Sequence, residues 1–416
     1  MLQRILYRCP RCGAFDWLNR NRCRHCTAMV AIQGRTALSL NGTTDAIGAW
    51  YDQVRAFPLD ADAGGVLMRA SGVRLYRERY RCWRRLAGSL AAGHYDRRLA
   101  GTVRLTLRDD ALVFTGPRGA KTISFHRLTG VTIESNTVIV GVARRPAYFF
   151  RFAGGVGKCW EDALRSALDA YHAPARIKAY YPRLLFAEDN ARQNRCARVR
   201  PVADFPATER DGSARPLLFT LLGPVVRGLI YPRLPVTVHG RHHVPATGPA
   251  VILPNHGSFL DAILLGAALD RPIGFMTKNS EFRDPAMAFL LRRLYAFPVR
   301  RYAVDAQAVR NARRIVAGGR LLGLFPEGER SWDGRMLPLR RGALRLLLTF
   351  GVPIVPVGIA GAYPVMPRWT HRPRPHPVTI RFGVPIHLPP LAPGRHTPVV
   401  IAALDHLLRR RIADLL

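Results

Sequence analysis

The sequence predicts an α/β domain in its second half, preceded by a small antiparallel β-barrel and an N-terminal cysteine module. Four cysteines cluster within the first 30 residues, and short alternating segments separated by turn residues fill residues 63–172. After residue 215, strand-like and helix-like segments alternate, as in α/β folds. The chain has 416 residues, 48% of them hydrophobic, which is enough for two or three domains with real cores. We therefore place domains at residues 1–30, 63–172 and 213–416.

The N-terminal module contains two close pairs of cysteines with the spacing C-x2-C-x10-C-x2-C. Such spacing predicts a closed, tetrahedral structural zinc site. A 30-residue segment buries little apolar surface, so bound Zn²⁺ would supply its folding energy. Gly13 suits the tight turn after the first pair. The alternative is a set of four buried, reduced thiols without metal. The cysteines are Cys9, Cys12, Cys23 and Cys26.

The cysteine spacing, with Trp17 and Asn19 between the pairs, resembles RanBP2-type zinc ribbons. Members of that family bind RNA or ubiquitin-like partners. Asp16 stands where we expect that family to have Asn, which argues against RNA recognition. Residues 31–62, which follow the module, are predicted to be a linker with some helix.

Residues 63–172 predict a small antiparallel barrel or sandwich that closes with a helix over Lys158–Tyr171. This order, and the stretch GTVRLTLRDDALVF in particular, resembles pleckstrin-homology and GRAM-like domains. The resemblance implies a phosphoinositide or protein ligand. The predicted strands are Gly65–Ala70, Val73–Arg77, Thr102–Leu107, Leu112–Thr115, Lys121–Phe125, Gly130–Ile133, Thr137–Val142 and Tyr148–Phe152.

The net charge of the chain indicates which partners it attracts. It has 63 basic and 28 acidic residues, a formal charge of +35, and a field of this sign attracts anionic membranes, nucleic acids and CoA phosphates. No basic-aromatic RNA platform is evident and the charge is spread along the chain, which argues against nucleic-acid binding.

The N-terminus lacks the apolar core of a signal peptide, which favours a location in the cytoplasm. The apolar segment Pro216–Pro232 contains Pro224 and Arg227, so we expect an interfacial or buried helix rather than a membrane span.

The α/β domain carries its first chemical signal at the end of a strand. His256 follows the strand Val251–Pro254 and precedes a helix predicted over Ser258–Leu269. Asp261 can accept the Nδ1 proton of His256, which would leave Nε2 to take a proton as a general base. Ser258 and Asp261 also form a capping box, S-x-x-D, and the alternative is that Asp261 only holds the helix start. Both roles can coexist.

A second signal lies about 65 residues later, in the segment FPEGERS after the strand Leu321–Phe325. Gly328 and the preceding proline bend the chain, and Arg330 can grip a phosphate with its two-pronged guanidinium. Glu327 has three open uses: binding glycerol hydroxyls, pairing with Arg330, or shaping the turn. The remaining predicted elements are strands at Ile273–Lys278 and Ile354–Ile359 and helices at Pro285–Tyr295, Ala303–Ala317 and Gly342–Phe350.

The two motifs, NHGSFLD and FPEGERS, in this order and at this separation resemble the glycerolipid acyltransferases typified by 1-acylglycerol-3-phosphate acyltransferases. The resemblance covers residues 213–390. It implies that His256 deprotonates a glycerol hydroxyl, which attacks the thioester of acyl-CoA or acyl-carrier protein without a covalent acyl-enzyme. Ser258 does not suggest a hydrolase nucleophile, because no G-x-S-x-G motif surrounds it.

The same resemblance implies further substrate-binding residues. Lys278 matches a family lysine. Arg301, with Arg300 as the alternative, aligns with the arginine that contacts the acceptor phosphate. The family commonly has a small hydroxylic residue where Glu329 stands. A second carboxylate there would repel a phosphate, so we expect that Glu329 points away or that the acceptor is unusual.

Together these signals predict a cytoplasmic acyltransferase, peripheral on the cytoplasmic face of an anionic membrane, that acylates a lysophosphatidic-acid-like lipid. One rival function is a non-enzymatic adaptor in which the zinc ribbon and the barrel recruit partners and the α/β domain is vestigial. A second rival, from the charge and the ribbon, is a nucleic-acid binder. The intact set of His256, Asp261, Glu327 and Arg330 argues against the adaptor.

Overall fold

The structure is a computed structural model in which the chain forms two compact units. One comprises Met1–Ala203 with Arg300–Val304, and the other Asp204–Val299 with Asp305–Leu416. Asp16 and Trp17, used above for the zinc-ribbon resemblance, lie outside the described residues. The structure describes residues 6–15, 18–19, 21–33, 37–57, 59–82, 93–134, 136–143, 145–154, 156–173, 217–301, 305–368, 370, 372–388 and 397–416.

The N-terminal unit begins with small sheets and one helix. Strands β1 (Leu18–Asn19) and β2 (Arg22–Cys23) pair between the two cysteine pairs. Strands β3 (Val30–Gln33), β4 (Ala37–Leu40) and β5 (Thr43–Ala46) then form an antiparallel sheet, followed by helix α1 (Ile47–Ala56).

This sheet shows that residues 31–62 are not the linker that was predicted, whereas the helix expected in this range is present as α1. Asn41 and Gly42, both at positive φ (50° and 88°), join β4 to β5. An Asn-Gly pair between short strands is a strong hairpin signal, because both residues tolerate the left-handed conformation that a tight hairpin turn requires. The sequence therefore contained the signal.

Seven antiparallel strands and one helix complete the first unit. The strands are β6 (Val66–Cys82), β7 (Gly93–Arg108), β8 (Ala111–Gly116), β9 (Gly119–Ser124), β10 (Leu128–Glu134), β11 (Thr137–Val142) and β12 (Arg145–Arg151). The strand order is β10-β11-β12-β6-β7-β8-β9, and helix α2 (Gly157–His172) packs on β10 and β11. The two strands predicted at Gly65–Ala70 and Val73–Arg77 both fall in β6, whose register shifts between Ala70 and Val73.

A buried polar cluster ties the N-terminal segment to α2. Lys158 Nζ lies 3.0 Å from Glu161 Oε2 and 2.6 Å from Asp162 Oδ1. The hydroxyls of Tyr51 and Tyr7 donate to Asp162 Oδ2 at 2.6 and 3.2 Å. Burial acts to lower the pKa of Lys158, but the two carboxylates outweigh it and raise that pKa, which keeps the ammonium charged inside the unit.

The second unit is an α/β domain on a seven-stranded mixed sheet. In chain order the elements are α3 (Leu217–Leu229), β13 (Val236–His239), β14 (Ala250–Pro254), α4 (Asp261–Ala268), β15 (Ile273–Lys278), α5 (Pro285–Arg293), β16 (Phe297–Val299), α6 (Ala306–Ala317), β17 (Leu321–Gly323), α7 (Arg341–Leu347), β18 (Ile354–Ala360), α8 (Ala362–Val365), β19 (Val378–Phe382) and α9 (Pro398–Ala413). The strand order is β13-β19-β18-β14-β17-β15-β16, and all neighbours are parallel except β18 and β19.

Strand β14 is central, with β18 and β17 as its parallel neighbours. Its five residues are all buried, which explains why they form a continuous apolar run without alternation. Because parallel strands end at the same edge of a sheet, the loops that follow β14 and β17 meet there. This edge carries both sequence motifs.

Helix α3 covers most of the apolar segment that the sequence marked as interfacial or buried, and Pro224 lies inside it. Among the described residues, no helix has both the length and the apolar character that crossing a bilayer requires.

Candidate active site

The loop after β14 is fixed to the neighbouring strand β18 by Asn255. Its Oδ1 accepts from the backbone N–H of Ile359 at 2.7 Å, and its Nδ2 donates to the carbonyl of Ile359 at 3.1 Å. An amide side chain can satisfy a backbone donor and acceptor together, so Asn255 continues the sheet where Pro254 ends the strand. His256 therefore starts from a rigid position.

His256 and Asp261 form a hydrogen-bonded pair. The Nδ1 of His256 lies 2.9 Å from Oδ2 of Asp261, whose side chain is 0% exposed. The same Oδ2 accepts from the backbone N–H of Ser258 at 2.8 Å. Asp261 thus contacts both the imidazole and the backbone just ahead of α4, and its role in catalysis stays a prediction. The helix begins at Asp261, not near Ser258 as predicted, because residues 259 and 260 form a turn.

The imidazole also stacks on an aromatic ring from the second motif. The centroids of His256 and Phe325 are 4.0 Å apart with an interplanar angle of 24°, and Phe275 stacks on Phe325 with its centroid 5.9 Å away. With Nδ1 engaged by Asp261 and one face stacked on Phe325, the imidazole ring has a defined orientation.

Glu327 shapes the turn, which is one of the three uses that the sequence left open. Its side chain is buried, Oε1 accepts from the backbone N–H of His256 at 2.7 Å, and Oε2 accepts from that of Leu337 at 2.7 Å. The N–H of Ser331 in turn donates to the carbonyl of His256 at 2.7 Å. Both backbone groups of His256 are therefore held by the FPEGERS segment.

Gly328 allows the turn its shape. Its φ is +73°, and a Cβ there would lie 3.0 Å from Cγ of Arg340. Any other residue would meet both the backbone penalty and the crowding, so glycine is required here. The sequence placed the bend correctly.

Glu329 is buried and doubly paired, which sequence reasoning missed. Its Oε1 accepts from Arg340 Nη2 at 2.8 Å and its Oε2 from Arg368 Nη1 at 2.7 Å. The expected repulsion of a phosphate by this carboxylate is thereby removed, since two guanidinium groups outweigh its charge. Arg340 directly precedes the Arg341-Gly342-Ala343 segment, but nothing in the sequence linked Arg368 to this loop.

The remaining predicted binding residues lie in three places. The Arg330 guanidinium lies 5.8 Å from the centroid of the Phe259 ring, and so beside the loop of His256. Lys278, at the end of β15, pairs with Glu281 at 2.7 Å. Arg301 groups with the N-terminal unit, where its Nη2 lies 3.9 Å from Oε1 of Glu134. Contact of these side chains with a phosphate stays a prediction.

The four N-terminal cysteines have sulfurs within 4.8 Å of one another. Cys9 and Cys26 are 3.7 Å apart, and Cys12 and Cys23 are 3.8 Å apart. A tetrahedral ion with Zn–S bonds of about 2.3 Å requires sulfur separations of about 3.8 Å, so the residues fit zinc.

Backbone donors favour the thiolate form of Cys23. The N–H groups of His25 and Cys26 point at Cys23 Sγ from 3.4 and 3.5 Å. Burial acts to raise the pKa of Cys23, but these donors and the neighbouring thiols lower it to about 7. Burial raises the pKa of Cys9 to about 12 and also raises the pKa of Cys12, so the support for zinc comes from the sulfur geometry and not from the thiol pKa values.

We expect the purified full-length protein to contain one zinc ion per chain, because the four sulfurs match a closed tetrahedral site. Replacing Cys12 with serine should remove the zinc and lower the melting temperature of the N-terminal unit. The measurement is metal analysis by mass spectrometry together with thermal unfolding. A matched control is Cys159→Ala, which removes a buried thiol outside the cluster and should retain the metal. Zinc-free wild-type protein would contradict the prediction.

Glu327 predicts a pH dependence of stability. Burial raises its pKa to about 8, although the N–H groups of Leu337 and His256 act to lower it. A raised pKa means that the folded state binds more protons than the unfolded state, so stability falls as pH rises from about 4.5 to 8, by up to about 1.4 kcal/mol per pH unit. Glu327→Gln should remove this dependence. Melting temperatures of both proteins between pH 5 and 8.5 test it, and a constant difference would contradict it.

Several known proteins are similar in sequence to the part of the chain that carries both motifs. Residues 235–360 match the family model described as Acyltransferase. The chain is 31% identical over 141 residues to a chloroplastic 1-acyl-sn-glycerol-3-phosphate acyltransferase of Brassica napus, covering 33% of this chain and 41% of the relative. It is 29% identical over 127 residues to the enzyme of that name from Bacillus subtilis, covering 30% and 63%.

A solved structure of the 1-acyl-sn-glycerophosphate acyltransferase PlsC from Thermotoga maritima is also similar, with 24% identity and a TM-score of 0.40 over 47% of this chain and 79% of the other. The chain spans about two fifths to three fifths of the length of the first curated relatives that it matches. Residues 235–360 are therefore similar in sequence to acyltransferase domains, and in this structure they lie on the mixed sheet with its flanking helices.

Proposed function

We propose that this protein is an O-acyltransferase that moves a fatty acyl group from acyl-CoA or acyl-carrier protein to a lysophosphatidic-acid-like glycerolipid. The observation that carries the proposal is the His256–Asp261 pair at the carboxyl end of β14, 2.9 Å between Nδ1 and Oδ2. The match of residues 235–360 to the acyltransferase model supports it. The acceptor class is proposed from the similar enzymes, which are 1-acyl-sn-glycerol-3-phosphate acyltransferases.

The arrangement suits direct transfer between the two substrates. His256 Nε2 takes the proton of the free glycerol hydroxyl as its oxygen attacks the thioester carbonyl carbon. The C–S bond then breaks, the ester remains, and the thiolate leaving group takes the proton back from the imidazolium. Asp261, buried and hydrogen-bonded to Nδ1, stabilises the imidazolium in between. No covalent acyl-enzyme is required.

Cationic side chains would bind the acceptor phosphate in this mechanism. Arg330 is the main candidate, because its guanidinium offers two parallel donors to a phosphate monoester and lies near the loop of His256. Lys278 and Arg301 are further candidates from the family resemblance. The excess of 63 basic over 28 acidic residues would favour an anionic lipid surface over a neutral one.

We place the protein in the cytoplasm, on the inner face of an anionic membrane. Helix α3 exposes Val225 (49%) and Leu229 (57%), which are four residues apart and so share one face. Such a face suits shallow burial in the headgroup region of a bilayer. The zinc ribbon would be structural, and the seven-stranded domain would bind a lipid or a protein partner.

The proposal is tested with the purified full-length protein on vesicles that contain anionic phospholipid. Lysophosphatidate, lysophosphatidylcholine and monoacylglycerol are offered as acceptors, each with acyl-CoA and with acyl-carrier protein. We expect transfer to lysophosphatidate in preference to the other two. Equal use of monoacylglycerol would contradict phosphate recognition. Absence of transfer from either donor would favour the non-enzymatic adaptor, and a salt-dependent gel shift would separately reveal nucleic-acid binding.

A further inference from the structure

We propose that Glu329, Arg340 and Arg368 form an ionic brace that positions the turn of the second motif, and through it His256, for acceptor use. The inference rests on the proposed function, because it assigns positioning residues to that reaction. The brace consists of the three side chains just named, and none of them needs to touch a substrate.

One buried carboxylate pairs with two arginines in this brace. The Glu329 side chain is 7% exposed, and each of its oxygens accepts from a different guanidinium, at 2.8 Å from Arg340 and 2.7 Å from Arg368. Arg368 is itself 8% exposed and stacks on the ring of Trp332 at 4.0 Å. Separating the partners of such a buried pair would leave an uncompensated buried charge. The three side chains are therefore strongly held in this arrangement.

Each arginine also donates a hydrogen bond to the backbone of the turn that contains Glu329. Arg340 Nε donates to the carbonyl of Glu327 at 3.2 Å, and Arg368 Nη1 donates to the carbonyl of Arg330 at 3.1 Å. These carbonyls lie at the two ends of the four-residue turn 327–330. The brace therefore fixes both ends, with Glu329 between them keeping the two arginines in register.

Hydrogen bonds join this turn to the backbone of His256, the proposed base. Glu327 accepts from the backbone N–H of His256, and Ser331 donates to the carbonyl of His256, both at 2.7 Å. Residue 327 is one braced end of the turn, and residue 331 directly follows the other. A shift of the turn would thus move the His256 backbone and the Arg330 side chain together, and a misplacement of about 1 Å can cost on the order of 100-fold in rate.

The three residues come from separate segments of the chain. Arg340 immediately precedes α7, and Arg368 follows α8. The guanidinium groups exceed the carboxylate by one charge, so the brace leaves a net positive charge beside Arg330. That positive charge complements an anionic acceptor. The carboxylate of Glu329 can therefore lie next to Arg330, the arginine proposed to bind the acceptor phosphate.

The test compares Glu329→Gln, Arg368→Gln and the double variant in acyl transfer to lysophosphatidate by full-length protein on anionic vesicles. We expect each single variant to lose about 10- to 100-fold in kcat/KM, with a raised acceptor KM and an unchanged donor KM. The double variant should lose no more than the worse single one, because the residues act as a unit. The matched control is Arg374→Gln, which removes an exposed arginine six residues from Arg368 and should behave as wild type.

The acceptor KM separates positioning from stability, since a variant that merely unfolds in part loses active enzyme without a change in either KM. If Arg368→Gln does not fold, Arg368→Lys keeps the charge but lacks the planar fork that stacks on Trp332, and it should show the same defect in milder form. Unchanged acceptor kinetics in folded variants would overturn the brace. So would tighter acceptor binding by Glu329→Gln, which would mean that Glu329 only repels the phosphate. A wild-type protein without transfer activity would instead refute the proposed function itself.

Discussion

Replacing His256 with alanine should lower the rate of acyl transfer by about 10²- to 10⁴-fold, the range that a general base contributes. The side chain is the only part lost, and its ring faces Phe325 from a loop rather than from the centre of a hydrophobic core. The backbone bonds of residue 256 to Glu327 and Ser331 survive the substitution. The variant should therefore fold, and circular dichroism and thermal unfolding provide that check.

A matched variant, Asp261→Asn, tests the partner of the base. The amide oxygen can still accept from the N–H of Ser258, so the start of α4 is kept, but the amide cannot stabilise an imidazolium as a carboxylate does. We expect an intermediate loss of activity, with the acceptor KM little changed. A folded His256→Ala protein that acylates at the wild-type rate would refute the mechanism, whatever Asp261→Asn does.

Local patterns in the sequence were enough to predict the His256–Asp261 pair. Four residues separate the two side chains, so their meeting depends on one turn at the start of α4. The meeting of this pair with FPEGERS followed from topology, because β14 and β17 are adjacent parallel strands and their carboxyl ends share an edge. Where chemistry depends on neighbouring residues or on parallel strand ends, sequence reasoning is well founded.

The partners of Glu329 could not be predicted in the same way. Arg340 and Arg368 lie 11 and 39 residues further along the chain. With 63 basic residues present, composition cannot single out which two arginines reach one carboxylate. That pairing depends on where α7 begins and where the segment after α8 lies in space. Strands β13 and β19 were also missed.

The second large effect is expected for Arg330→Lys, which tests what the acceptor is. The substitution keeps the charge but replaces the two-pronged guanidinium with a single ammonium. It also keeps the backbone carbonyl of residue 330, to which Arg368 donates, so the brace of the turn should persist. A charge-assisted hydrogen bond contributes about 1.5–3 kcal/mol, which corresponds to roughly a 10- to 150-fold loss in kcat/KM for lysophosphatidate.

This loss should be confined to the acceptor, because the proposed contact is with the acceptor phosphate and not with the acyl donor. Steady-state kinetics with each substrate varied in turn measure it, and Arg374→Lys, at an exposed position, is the matched control. Equal losses with lysophosphatidate and monoacylglycerol would assign Arg330 to a role other than phosphate recognition. If lysophosphatidate kinetics were unchanged, an acceptor without a phosphate monoester would become the better hypothesis. The net positive charge left by Arg340 and Arg368 around Glu329 would then be the next feature to test.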